Sequence, residues 1–162
     1  MFYAGPENYM APDGLIDFTG REFTWSCVPD VASGDFALMY RKGLGKVSLS
    51  DIRRLTGVTA ERAKTIKRDV GSDIAEIFEI ISGPKGPVGP WAETCDIRHL
   101  TSIRPALKLI ELRADFRLLK WDDLRWNFQS QGRDALKIPE FACDVIDGMI
   151  SGRTARQINL VR

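Results

Sequence analysis

The chain has 162 residues, 44% of them hydrophobic and 28% charged, with a formal net charge of +1. That length suits one domain with a sizeable core, and that composition excludes a disordered or fibrous chain. No apolar run is long enough to span a bilayer, and the start MFYAGPENYM has neither the basic residues nor the apolar stretch of an export signal, so a cytoplasmic protein with no membrane contact is expected.

Phe23 to Cys27 alternates, placing Phe23, Trp25 and Cys27 on one face of a strand and Thr24 and Ser26 on the other. Ser33-Gly34-Asp35 marks a turn before a short apolar strand, Phe36 to Tyr40. The period then changes. Leu49, Ile52 and Leu55, and again Ala63, Ile66 and Val70, fall at helical spacing; Thr56-Gly57 separates the two helices and Thr59 caps the second. Ile74 to Ile81 returns to strand, with Glu76 and Glu79 among the apolar residues, and SGPKGPVGP ends it. Cys95 to Ile103 reads as a further strand, and beyond Pro105 the segments LKLIELRAD and LLKWDDLRW read as short helices. In IPEFACDVIDGMI, Pro139 opens a helix whose Phe141, Val145, Ile146, Met149 and Ile150 share a face. The last ten residues, with Arg153, Arg156 and Arg162 and no acid, are expected to fray. Short strands, a helical pair inserted at 45–70 and helices at the end predict one α+β domain over 1–162, with a mixed or barrel-like sheet rather than a doubly wound one.

Between Arg41 and Asp69 there are nine basic residues and three acids, so the remainder of the chain is acidic. A basic module in an acidic protein points to a polyanion partner, with a solvated helical face as the alternative. Patterns that carry catalysis are missing. Cys27, Cys95 and Cys143 are odd in number and far apart, and read as buried free thiols. His99 has no second histidine or thiol at metal-ligand spacing. There is no nucleophile elbow, phosphate loop or dinucleotide fingerprint, and GLGK at Gly43 to Lys46 lacks the spacing of a Walker motif. Asp122 and Asp123 would point about 100° apart on a helix, as on a solvated face. The sequence therefore calls for no catalytic residue, no metal and no cofactor.

The stretch LTGVTAERAKTI resembles a helix-hairpin-helix motif, in which Leu55, Gly57, Val58, Ala63 and Ile66 match and Thr59 replaces the second glycine. It also resembles a helix-turn-helix, with Gly57-Val58-Thr59 as the turn and Ala60 to Arg68 as the recognition helix, although Arg53 falls where helix packing wants a small residue. An ordinary hairpin with a basic surface is the third reading, and all three stay open.

Four stretches, FTWSC, GDFALMYR, SDIAEIFEI and FRLLKWDDLRWNFQSQGRDALKIPEF, together resemble the EVE branch of the PUA-like superfamily. The resemblance covers roughly residues 20–40 and 71–150; the insertion at 42–70 and the N-terminal segment depart from the family pattern. It implies a PUA-like pseudo-β-barrel of mixed strands with peripheral helices, and a concave pocket for a modified base flipped out of nucleic acid. Such a base needs a face to stack on, worth about 1–3 kcal/mol, and hydrogen-bonding groups at its edge. Trp25 is the candidate face, with Trp126 in the same pocket and Ser26 and Asn127 at the edge. Trp25 and Ser26 can both serve only if the strand bends between them. Arg41, Lys42, Arg54, Arg62, Lys64 and Arg68 are the candidates for holding the nucleic-acid backbone. The expected partner is DNA or RNA carrying a modified base, read without catalysis, with a separate nuclease as a candidate protein partner and the oligomeric state open. The competing readings are a protein-interaction or regulatory module, using the acidic remainder and the C-terminal helix, and a small-ligand sensor using the same pocket.

Overall fold

In the strand Phe36–Arg41, Ala37 and Met39 face one apolar cluster and Leu38 and Tyr40 another, and all four are buried. A strand buried on both faces needs cover on both. The computed structural model, which describes residues 1–87, 93–125, 135–155, 157–158 and 160, shows what supplies it. The chain runs through β1 (Phe2–Ala4), α1 (Pro6–Tyr9), the short paired strands β2 (Met10–Ala11) and β3 (Gly14–Leu15), β4 (Glu22–Ser26) and β5 (Phe36–Arg41). Helices α2 (Leu49–Thr56) and α3 (Ala60–Asp69) follow, then β6 (Asp73–Ile80), β7 (Thr94–Lys108), α4 (Leu109–Ala114), α5 (Asp122–Arg125) and α6 (Glu140–Ile150).

Five strands form one sheet in the order β1-β5-β6-β7-β4, with β1 parallel to β5 and the other neighbours antiparallel. The sheet curls into a nearly closed barrel. Its edge strands meet through side chains, the rings of Phe2 on β1 and Trp25 on β4 stacking at 6.2 Å between centroids. One cluster joins Phe2, Met39, Phe78, Cys95 and Ile97 to Ile52, Ala63 and Ile66 of the helical pair. On the other face, Leu38, Tyr40, Ile77 and Leu107 pack with Leu112, Trp121 and Ile146 of the later helices. The expected α+β pseudo-barrel of mixed strands with peripheral helices is the observed architecture, and the four strands read from the sequence share one sheet.

Several boundaries differ for physical reasons. β1 is three residues long, too short for alternation to reveal it, and its parallel pairing with β5 is a tertiary choice. β7 runs through Pro105 instead of stopping before it. Glu76 pairs with Ser102 and Ile74 with Leu107, so residues 103–106 bulge opposite Ala75 and the missing proline N–H is not needed in the ladder. Helix α4 starts only at Leu109 because Leu107 and Lys108 still pair with β6. The chain end is not frayed at its start: Thr154 bridges Ile103, and Arg104 N–H donates to the Arg153 carbonyl at 2.7 Å. On α6, Val145, Ile146 and Ile150 are buried as expected, with Ala142. Phe141 and Met149 are only partly buried, and the Lys120 ammonium lies 4.2 Å from the Phe141 ring centre. Among the described residues, no helix is long and apolar enough to cross a membrane.

The barrel seam is testable. Trp25 is half-buried against Phe2 and Phe23, so Trp25→Ala should cost about 3 kcal/mol, the low end for truncating a core aromatic. Urea unfolding of both proteins measures this. A cost under about 1 kcal/mol, the scale of an average substitution, would show that the seam closes without the ring.

Candidate functional site

The helical pair leaves the barrel at the end of β5 and rejoins it at the start of β6. Arg41 and Asp73 are register partners at that junction, and Arg41 Nε donates to Asp73 Oδ1 at 2.8 Å. Their side chains are 11% and 2% exposed. Burial pushes the Asp73 carboxyl above its usual range, and the Arg41 hydrogen bond offsets only part of that rise. The guanidinium carbon also lies 5.9 Å from the Tyr9 ring centre. The expectation that Arg41 holds a nucleic-acid backbone is therefore corrected: its charge is spent inside the fold.

Local capping sets the shape of the helical pair. Ser48 Oγ accepts from Asp51 N–H at 3.0 Å and Thr59 Oγ1 from Arg62 N–H at 3.3 Å, each satisfying a free amide of the first turn. Gly57 ends α2 at φ +70°, a left-handed conformation that glycine adopts without strain. Ile52, Thr56, Ala63 and Ile66 are buried, which turns the cations outward. Lys42, Lys46, Arg53, Arg54, Arg62, Lys64 and Arg68 are all exposed, so Arg53 does not obstruct helix packing. Arg54, Lys64 and Arg68 pair with Asp51, Glu61 and Asp69 at 3.3, 2.9 and 2.8 Å. Water screens such exposed pairs, so an arriving anion competes with them readily. The cations do not share one face, since Arg62 stands about 160° around α3 from Lys64.

Two concave features lie at opposite ends of β5. At the Arg41 end, a groove of about 740 Å³ runs between the 42–47 loop and the 67–72 segment. Lys42 and Lys46 stand on one wall, Lys67 and Arg68 on the other, and no carboxylate lines it among the described residues. Lys67 Nζ donates to the Val47 carbonyl at 2.6 Å, tying the walls together. Gly43 lets them touch: its N–H donates to Ser72 Oγ at 3.2 Å, and a Cβ there would fall 2.8 Å from the Ser72 amide nitrogen. Lys46 and Lys67 contribute to the charge run in the sequence, but nothing local shows that they converge.

At the other end of β5 is a cavity of about 450 Å³ with Phe2, Val31, Phe36 and Ile138 among its apolar walls. Asp30, Asp35 and Lys137 supply its polar groups, and an Asp30–Lys137 ion pair links the loop before β5 to the segment before α6. Trp25 and Ser26 do not line this cavity. Trp25 stacks on Phe2, which does, while Ser26 is buried in register with Thr94 and turned away from the Trp25 cluster. The ladder between β4 and β7 has no register shift that would bring the two residues to one face. Trp126 and Asn127 lie outside the described residues.

Sequence reasoning also missed a buried polar cluster on β6 and β7. Glu76, 4% exposed, has His99 Nε2 2.9 Å from Oε2, accepts from Ser102 Oγ at 2.6 Å, and meets Arg104 at 3.3 Å. These partners satisfy a carboxylate that would be costly to bury alone. The thiols are free, with Cys95 buried and Cys27 and Cys143 half-buried; burial pushes Cys95 up to about 12. Among the described residues, no three His, Cys, Asp or Glu side chains form a metal-binding group.

No family model matches the chain, and no curated protein matches it. Among solved structures, it is similar to the NMR structure of Rpa0253 from Rhodopseudomonas palustris, a structural genomics target, with 17% identity and a TM-score of 0.42. That likeness covers 67% of this chain and 66% of the neighbour, just under two thirds of its length. The nearly closed mixed sheet is compatible with a PUA-like fold.

Arg41→Ala separates structure from surface. Leaving Asp73 buried without its partner should cost about 3–5 kcal/mol, whereas Arg68→Ala, on an exposed face, should leave the unfolding midpoint nearly unchanged. Denaturant unfolding of the two variants checks this, and equal costs would contradict the structural role given to Arg41.

Proposed function

We propose that the protein is a non-enzymatic nucleic-acid reader of the EVE type, taking a modified base from DNA or RNA. The observation that carries this reading is the outward display of cations by the 41–69 excursion, where Arg41 alone is buried and Lys67 alone half-buried. Lys42, Arg54, Lys64 and Arg68 would hold phosphates, which position a duplex or strand without reading it, while Arg62 lies on the opposite side of α3. The cavity at the start of β5 supports a base site, since its size falls within the range of about 300–1,000 Å³ usual for small-molecule pockets. In this reading Phe36, with Val31 and Ile138, forms the apolar wall that a planar ring packs against, and Asp30, Asp35 and Lys137 offer hydrogen-bonding groups to its edge. Trp25 backs Phe2 and shapes the wall from behind. A cytoplasmic setting, and a separate nuclease that acts on what this protein finds, complete the proposal.

A second reading, a protein-interaction module, rests on a different surface. Ile110, Phe116 and Leu119, in and just after α4, are 74%, 79% and 58% exposed. Salt separates the two. Phosphate contacts release counterions, so log K should fall linearly with log salt, by roughly 0.7–0.9 per contact; apolar protein contacts carry no such slope.

Fluorescence anisotropy with plain and base-modified oligonucleotides across a salt series tests the proposal. Combined Lys42→Glu, Arg54→Glu, Lys64→Glu and Arg68→Glu should weaken binding to every sequence alike and flatten the slope. Phe36→Ala should remove about 1–3 kcal/mol of preference for the modified base and leave plain strands nearly unaffected. No binding to any oligonucleotide, or binding indifferent to salt, would overturn the reading.

A further inference from the structure

We infer that the groove between the 42–47 loop and the 67–72 segment is a phosphate-binding site in its own right, shaped for two neighbouring phosphates of one ligand. Four cations from two segments far apart in sequence converge there, two on each wall, with no carboxylate in the lining among the described residues. A helix face solvated at random has no reason to exclude acids from its one concave edge. The donors are also available. Lys67 gives one N–H to the Val47 carbonyl, and an ammonium has three. Arg68 meets Asp69 through Nε at 2.8 Å, and the forked end of its guanidinium has no other ion pair among the described residues. Lys42 and Lys46 are exposed and make no ion pair among the described residues.

The backbone is open as well. A Cβ at Gly45 or Gly71 would meet nothing within 4 Å, so both walls leave room beside the main chain; the Gly71 amide is hydrogen-bonded to Asp73, and an oxyanion can approach the main chain at Gly45. Gly43, pressed against Ser72, holds the two walls at a fixed separation. The site is also distinct from the base cavity. The two features have no lining residue in common, although Leu38 of the cavity and Tyr40 of the groove stand two residues apart on β5, about 7 Å at the strand rise. The phosphates held here belong to a nucleic-acid strand, or to a free oligophosphate such as a nucleoside polyphosphate. The nucleic-acid reading enters only in choosing between those sources, not in the phosphate chemistry of the groove.

The test is an amide NMR titration of the full ¹⁵N-labelled chain with inorganic pyrophosphate at matched chloride, with a second arm using a short oligothymidylate. Pyrophosphate should shift the Gly43, Gly45 and Gly71 amides saturably. Lys46→Glu should weaken that binding about tenfold, the worth of one charge-assisted contact, while Arg53→Glu, outside the groove, should change it less than about twofold. The dispersion of the same spectra reports whether each variant is folded. If pyrophosphate moves the groove glycines and oligothymidylate does not, the site stands with a free oligophosphate as its ligand, and the nucleic-acid reading is what falls. Absent or non-saturating shifts at those glycines, or equal losses from Lys46→Glu and Arg53→Glu, would overturn the site and leave only diffuse screening.

Discussion

The outward-facing half of this molecule depends on one buried contact, the Arg41–Asp73 pair. A buried ion pair adds little net stability, because desolvation consumes most of the attraction. What this one supplies is register. It joins the last residue of β5 to the first of β6, so the chain that leaves at Lys42 and the chain that returns at Ser72 start side by side. Gly43 against Ser72, and Lys67 on the Val47 carbonyl, extend that juxtaposition outward. The groove is the space those contacts leave. An arginine that belongs to a basic run by sequence is thus a structural part of the surface that displays the rest of the run.

The barrel supports the opposite end by another means. Its sheet stops short of closing by hydrogen bonds, and the Phe2–Trp25 stack spans the seam. Phe2 then lines the cavity beyond the seam, so apolar packing of the barrel and the shape of the cavity share a residue. The polar cluster around Glu76 lies in the middle of the sheet, and its carboxylate is satisfied by residues of β7 alone. Each end therefore has its own support, which is why the groove and the cavity can be perturbed separately.

Much of the fold was legible because its signals are local. Alternation in Phe23–Cys27 and Phe36–Tyr40, helical spacing in Ile52, Ala63 and Ile66, and capping by Thr59 each need only neighbouring residues. What escaped depends on distant partners. Nothing in the first residues shows that Phe2–Ala4 will lie parallel to β5, and Pro105 looks like a strand end until the bulge opposite Ala75 is known. The candidate site divides the same way. The cationic excursion is plain in the composition of 41–69, yet the loss of Arg41 to Asp73 and the convergence of Lys46 with Lys67 are tertiary facts. Residue type alone makes Trp25 a pocket candidate, whereas the backbone turns its ring onto Phe2.

On the proposed reading, the excursion between β5 and β6 is the polyanion-binding face. Hydrogen exchange of the whole protein, with and without saturating single-stranded oligonucleotide, tests it most directly. Slowed exchange should concentrate in 42–47 and 67–72, with α4 and α6 unchanged. Protection confined to α4 and α6, with the groove segments exchanging as in the free protein, would contradict it.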